Sequence, residues 1–226
     1  MNYLVATIKD WHIKEYEKYS NELHGNWSLI SNKEELTLKN IQKINPEYIF
    51  FPHWSWIVPQ EITNNYNCIC FHMTDLPYGR GGSPLQNLII NGQKTTKITA
   101  LKMTQELDAG GVYLKRSLDL AGSAQNIFIR SSKIIATMIN EMVKTPIKPK
   151  PQVGEITIFK RRTQQQSLIP QKSSLKIMYD YIRMLDADGY PKAFIQYADK
   201  RLEFDNAKIV DGKLSANVTM TIINNE

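Results

Sequence analysis

The 226 residues include 42% hydrophobic and 22% charged side chains, which excludes wholesale disorder and allows one large domain, or one with a small appendage. No apolar run approaches the ~20 residues needed to span a bilayer. The opening MNYLVATIKDWH has no basic start, long apolar stretch or small-residue cleavage site, so a reduced, cytoplasmic protein is expected.

The net charge of +6 sits in one stretch. Between Lys144 and Lys172 the basic residues Lys144, Lys148, Lys150, Lys160, Arg161, Arg162 and Lys172 face only Glu155. Such a run fits either a solvated linker or a surface that attracts a phosphate-bearing partner. It has few aromatic residues to stack on bases, so a nucleic-acid partner is not expected. Cys68 and Cys70 would lie on one face of a strand with parallel side chains, a poor disulfide geometry. His12, His24, His53 and His72 fall in no ligand spacing, and no metal is expected.

Taken in chain order, the first half alternates strand and helix signals. MNYLVAT reads as a strand, KDWHIKEYEKYS as a helix, Trp27–Ile30 as a weak strand and ELTLKNIQKI as a helix. Then come three apolar runs, YIFF, CICFHM and KITALKM, of the kind found in strands covered on both faces. The alternation predicts an open, mainly parallel α/β sheet with helices on both faces. A helix after Ser83 is signposted by that cap, by Pro84 and by Gly92 beyond its end. A longer one is expected over Ala124–Val143, with Ile127, Ile134, Ile135, Met138 and Met142 on one face.

PIKPKPQVG cannot sustain a helix, because proline removes donors and fixes φ. It marks a boundary between a domain of residues 1–145 and a linker with a small α+β domain at 146–226. That second part is expected to hold a strand at EITIFKRR, a helix from about Ser174, and short strands at Lys192–Tyr197, Arg201–Phe204, Lys208–Val210 and Leu214–Ile223. Turns are expected at Asp188–Gly189 and Asp211–Gly212.

Chemistry-bearing residues are densest in CICFHMTDLPYGRGGSP, over Cys68–Pro84. An apolar strand ends at a histidine and passes through a proline- and glycine-containing turn into a helix, at the end of a strand where open α/β sheets bind ligands. On position alone His72 fits a general acid or base, or a histidine that merely bonds its turn. Further on, KITALKMTQELDAGG presents a second strand leading to Asp108, which fits a carboxylate orienting His72 or a simple turn residue. No phosphate-loop or hydrolase-elbow motif is present.

The two blocks together resemble the N10-formyltetrahydrofolate-dependent formyltransferases. In that family a strand ends in N-x-H-P-S-L-L-P, followed by R-G and a P-x-Q helix, and a second strand of type V-T-I-x-x-M leads to L-D-T-G-D. FHMTDLPYGRGGSPLQNLIINGQKTTKITALKMTQELDAGGVY follows that order. IMYDYIRMLDADGYPKAF is more weakly similar to sugar-formylating members. The resemblance implies a Rossmann-like catalytic domain, N10-formyltetrahydrofolate as co-substrate, and His72 and Asp108 as catalytic residues. The catalytic asparagine's position is held by Cys70, a poor donor to an oxyanion. His53, Asn67, protonated His72 or backbone N–H groups are the candidates to replace it. The implied mechanism has His72 removing the amine proton and returning it to N10, with Asp108 holding the imidazolium.

The same resemblance implies folate contacts at Phe51, Pro52, His53, Trp54, Thr74, Asp75, Leu76, Pro77, Gln105, Leu107 and Gly110. It implies a substrate turn at Arg80, Gly81, Gly82 and Ser83, where Arg80 or Lys160-Arg161-Arg162 would meet phosphates. The part beyond the linker is shorter than the barrel domain of methionyl-tRNA enzymes, and the FHMTDLPYGRGGSPLQNLI wording is similar to pseudaminic-acid-pathway enzymes. A nucleotide-linked (CMP or UDP) amino sugar is therefore the expected small-molecule partner. Methionyl-tRNA formylation and a non-catalytic nucleotide- or RNA-binding relative are the alternatives. No membrane partner is expected, and homodimer formation by strand addition in the second domain is a further expectation.

Overall fold

The computed structural model describes residues 1–223. In chain order the elements are β1 (Asn2–Ala6), α1 (Asp10–Glu22), β2 (Asn26–Ile30), α2 (Leu38–Ile44), β3 (Tyr48–Phe51), α3 (Gln60–Asn65), β4 (Asn67–His72), β5 (Arg80–Gly81), α4 (Pro84–Ile90), β6 (Thr95–Lys102), β7 (Val112–Asp119), α5 (Ala124–Lys144), β8 (Ile158–Phe159), α6 (Leu175–Arg183), β9 (Ala193–Tyr197), β10 (Lys200–Val210) and β11 (Lys213–Ile222). The fold is α/β: a mainly parallel sheet flanked by helices, plus a C-terminal antiparallel sheet. The chain divides into two compact units, one of Met1–Gly81, Thr96–Leu118 and Phe128–Ile158, the other of Gly82–Thr95, Asp119–Ile127 and the chain from Phe159 onward.

The first unit is built on a six-stranded sheet of order β2-β1-β3-β4-β6-β7. β1 pairs in parallel with β2 and β3, and β3 with β4, whereas β4 and β6 are antiparallel. The apolar runs are central strands because both their faces are covered: Leu4, Val5, Ala6, Ile49, Phe50 and Ile69 are fully buried. Each of these except Ala6 contributes roughly 1.5–3 kcal/mol. Trp11 of α1 stacks on Phe128 of α5 at 5.5 Å between ring centroids.

The antiparallel register corrects one expectation. His72 pairs with Thr99 and Ile69 with Lys102, so β6 ends beside Ile69 rather than beside His72. The following loop has to fold back to carry Asp108 to the histidine.

In the second unit, α4 buries Leu85, Leu88 and Ile89. Gln86 of α4 donates to Met184 O. The antiparallel sheet β11-β10-β9 turns at Asp211–Gly212, whose φ values of 49° and 70° suit a tight hairpin. Arg201–Phe204 and Lys208–Val210 are one strand, β10, interrupted by a bulge between Asp205 and Lys208. EITIFKRR yields only the two-residue β8, and the sequence reading did not anticipate β7 or α3. Ser83 precedes α4 but does not cap it: it sits at φ 51°, and its Oγ accepts from Arg162 N at 3.0 Å. Ser174 does cap α6, accepting from Ile177 N. Among the described residues, no helix is long and apolar enough to cross a membrane.

Candidate active site

The strand β4 sets the site's geometry. Its alternation puts Cys68, Cys70 and His72 on one face, and both cysteines are free thiols. His72 is 9% exposed, with Nδ1 3.5 Å from Asp108 Oδ2 and Nε2 2.7 Å from Gly79 O. A carbonyl oxygen only accepts, so Nε2 carries a proton and donates. Gly79 O also accepts from Thr74 Oγ1 at 3.3 Å. Nδ1 faces a carboxylate, and a proton on that nitrogen turns the approach into an ion pair. Nε2 thus holds its proton against Gly79 O, and the only nitrogen that can be bare is Nδ1, on the Asp108 side and away from Gly79.

Cys70 lies beside this pair. Burial, and then the charge of Asp108, push its thiol up, so it stays protonated at neutral pH and is a weak donor. Two candidate replacements for the missing asparagine are tied elsewhere. Asn67 opens β4, at the opposite end from His72, and donates to Glu47 O. The His53 ring packs on Trp11 and Phe128, and burial together with the Lys9 charge pushes it down to about 3.

The residues expected to touch folate divide by exposure. Phe51, Leu76 and Thr74 are buried, as are Pro52, Pro77 and Gly110, so they shape the walls from behind. Asp75 is half-buried. Desolvation raises its carboxyl, but Lys115 and Lys97 outweigh that and hold it below the usual carboxylate range. Gln105 and Leu107 are exposed in the Asp108 loop. Trp54 packs edge-on to Phe51 and to Trp56, and its buried Nε1 has no hydrogen-bond partner among the described residues.

Arg80 does not present its charge to solvent. Its Nε and Nη2 donate to Gln152 Oε1 and its Nη1 to Glu106 Oε1, and Gly81 N donates to Asp108 Oδ2 at 2.9 Å. In the second unit, Gly82 lies against the Arg161 backbone, where a Cβ would come within 2.6 Å of its Cα. Lys148, Lys150, Lys160, Arg161 and Lys172 are exposed. Sequence reasoning missed Gln152, Thr157 and Lys115, which carry no motif. A cavity of about 480 Å³ lined by Met1, Tyr3, Glu22, Leu23, His24, Gly25, Val143 and Lys144 shares no residue with the site.

Residues 14–125 match the family model described as Formyl transferase, and residues 164–221 the one described as Methionyl-tRNA formyltransferase, C-terminal domain. A solved structure described as methionyl-tRNA formyltransferase from Clostridium thermocellum is 51% identical, with a TM-score of 0.96, over 98% of this chain and 99% of that one. The chain belongs to the formyl transferase family.

A formyl transferase relative from Sulfurihydrogenibium sp., also called methionyl-tRNA formyltransferase, is 30% identical over 83% of this chain and 62% of its own. The chain spans about three fifths of the length of the curated relatives it matches. A sugar N-formyltransferase from Shewanella sp. is only 17% identical, with a TM-score of 0.71 over 93% of this chain and 99% of that one, a likeness of fold alone.

These findings overturn the expectation of a nucleotide-sugar or pseudaminic-acid-pathway enzyme in carbohydrate biosynthesis, and with it the expectation against a nucleic-acid partner. The misreading has a physical cause. Part of the wording that suggested sugars lies in the loop after His72, which reports the reacting group and not the amine. The rest, IMYDYIRMLDADGYPKAF over α6 and β9, falls within residues 164–221, which match the methionyl-tRNA formyltransferase C-terminal model. The short second part does not separate the classes either, since the Clostridium thermocellum chain is matched almost end to end.

Proposed function

We propose that this formyl transferase moves the formyl group of N10-formyltetrahydrofolate to the amine of methionyl-tRNA. The observation that carries this reading is the match of residues 164–221 to the methionyl-tRNA formyltransferase C-terminal model, alongside 51% identity to a structure of that description. The exposed bases Lys148, Lys150, Lys160, Arg161 and Lys172 supply the phosphate attraction such a partner needs.

The residues present suit the donor. The unpartnered Trp54 Nε1, the Trp56 ring and the exposed Leu107 and Gln105 offer one hydrogen-bond donor, apolar faces and a polar edge, which is what a pterin needs. The donor brings an activated formyl carbon on N10. Transfer joins the amine nitrogen to that carbon, breaks the carbon–N10 bond and moves one proton from the amine to N10.

His72 enters this reaction as the acid. With both ring nitrogens protonated and Nδ1–H against Asp108, the imidazolium leaves Gly79 O, steadies the developing oxyanion in place of the family's asparagine, and gives its Nε2 proton to N10, becoming a neutral ring. It then recovers the proton shed by the amine. Asp108 fixes the ring and balances its charge throughout. This order reverses the base-first sequence drawn from the motif, because Gly79 O already claims the Nε2 proton.

The test is incubation with N10-formyltetrahydrofolate and methionine-charged initiator tRNA, followed by mass analysis of the released amino acid. Formylmethionine is expected. Unmodified methionine from charged tRNA, under conditions where a reference methionyl-tRNA formyltransferase acts, would refute the reading.

A further inference from the structure

We propose that the segment Lys150–Thr157, which continues from the proline-rich stretch that the sequence marks as a domain boundary, braces the His72–Asp108 pair, with Gln152 as its positioning residue. The inference rests on the reading of that pair as the reacting groups.

Gln152 uses its whole hydrogen-bonding capacity on the Asp108 loop and its neighbour. Its Nε2 donates to Asp108 O at 2.7 Å and to Gly110 O at 2.9 Å. Its Oε1 accepts from Arg80 Nε at 3.1 Å and Nη2 at 2.9 Å. The orientation of the amide follows from chemistry: carbonyls only accept and a guanidinium only donates, so a flipped amide would lose all four bonds.

The loop needs such a hold. It has to fold back from the end of β6 beside Ile69, and Asp108 sits at φ 54°, a left-handed conformation that costs a residue with a side chain about 1 kcal/mol. Its base is tight, since a Cβ at Gly110 would lie 1.8 Å from Lys102 O.

The same segment holds the histidine's side. Thr157 Oγ1 accepts from Gly79 N at 2.7 Å, Thr157 O accepts from Arg80 N at 3.0 Å, and Thr157 N donates to Pro77 O. Gly79 O is the acceptor for His72 Nε2. Paired Lys150–Val112 backbone bonds of 2.7 and 2.9 Å fix the start of the segment. Arg80 closes the ring, standing between Gly79, which holds His72, and Gly81, which holds Asp108 Oδ2. One short stretch of chain thus sets the distance and angle between the two reacting side chains.

The experiment compares Gln152→Leu and Gln152→Glu with Val153→Ala, a control at a neighbouring exposed residue. It reads kcat, KM for the donor, and the ¹H–¹⁵N signal of His72 Nε2–H in the substrate-free protein. Both Gln152 variants should lose about 10- to 100-fold in kcat with KM changed less than about threefold, roughly the value of one or two oriented contacts at the transition state. The Nε2–H signal should shift or broaden, and Val153→Ala should match the parent. Adding Arg80→Met to Gln152→Leu should cost little more, because both act through one unit.

An unchanged kcat and an unmoved signal in a folded Gln152→Leu protein would overturn the proposal, as would a loss confined to KM. If the parent chain formylates nothing, the functional reading fails, and the His72 signal alone still decides whether the brace exists.

Discussion

Two loops in the first unit approach the His72 neighbourhood by different physical means. The Asp108 loop is held by directed polar bonds from Gln152, Arg80 and Gly81. The stretch Phe51–Trp56 is held by rings: Phe51 against Trp54, Trp54 against Trp56, and His53 against Trp11 and Phe128. Hydrogen bonds fix angles, whereas ring packing fixes shape and leaves Trp54 Nε1 unspent. The first loop is therefore suited to set the rate and the second to hold a planar ligand.

The largest expected effect lies on the polar side. His72→Ala should lower kcat by about 10³- to 10⁴-fold while donor binding, measured by fluorescence quenching, stays within a few-fold. Parent-level turnover would remove His72 from the chemistry and break the division between the loops. Next, Gly110→Ala forces a Cβ into the Lys102 backbone. It should cost about 3 kcal/mol in denaturant unfolding, the upper end for overpacking; a loss under half that would mean the loop base gives way freely.

On the ring side, Trp54→Phe keeps the packing and removes Nε1–H. It should raise KM for the donor about tenfold, the worth of one hydrogen bond, with kcat near the parent value. A fall in kcat instead would erase the contrast.

A separate effect is on acid stability. Burial pushes His12 and His53 below the ordinary histidine value, His53 to about 3. The unfolded chain therefore binds more protons below about pH 6.5, and stability should fall as pH drops from there towards 3, at up to about 1.4 kcal/mol per pH unit for each group. His53→Asn, which tolerates the φ of 56°, should flatten that slope; an unchanged slope would place the acid sensitivity elsewhere.

Legibility in the sequence follows the same divide. YIFF, CICFHM and KITALKM announced themselves because strands covered on both faces are apolar throughout. His72 and Asp108 stood out because the motif around each is local. β7 was invisible, since Val112–Asp119 is largely half-buried and carries Lys115 and Arg116, which mask the strand signal. The antiparallel turn at β6 left no trace, because direction is set by pairing and not by composition. Gln152 and Thr157 were unreadable for a further reason. They act through side chains whose partners lie 44 and 78 residues away along the chain, and a proline-rich stretch reads as a linker however closely it is docked.

The most direct test of the account is the ring state of His72 in the substrate-free protein, read from ¹⁵N chemical shifts of the labelled imidazole. The account requires Nε2 to carry its proton in the neutral ring as well as in the charged one, because Gly79 O can only accept. A neutral ring protonated at Nδ1, with Nε2 bare, would contradict it and restore His72 as a base open to the incoming amine.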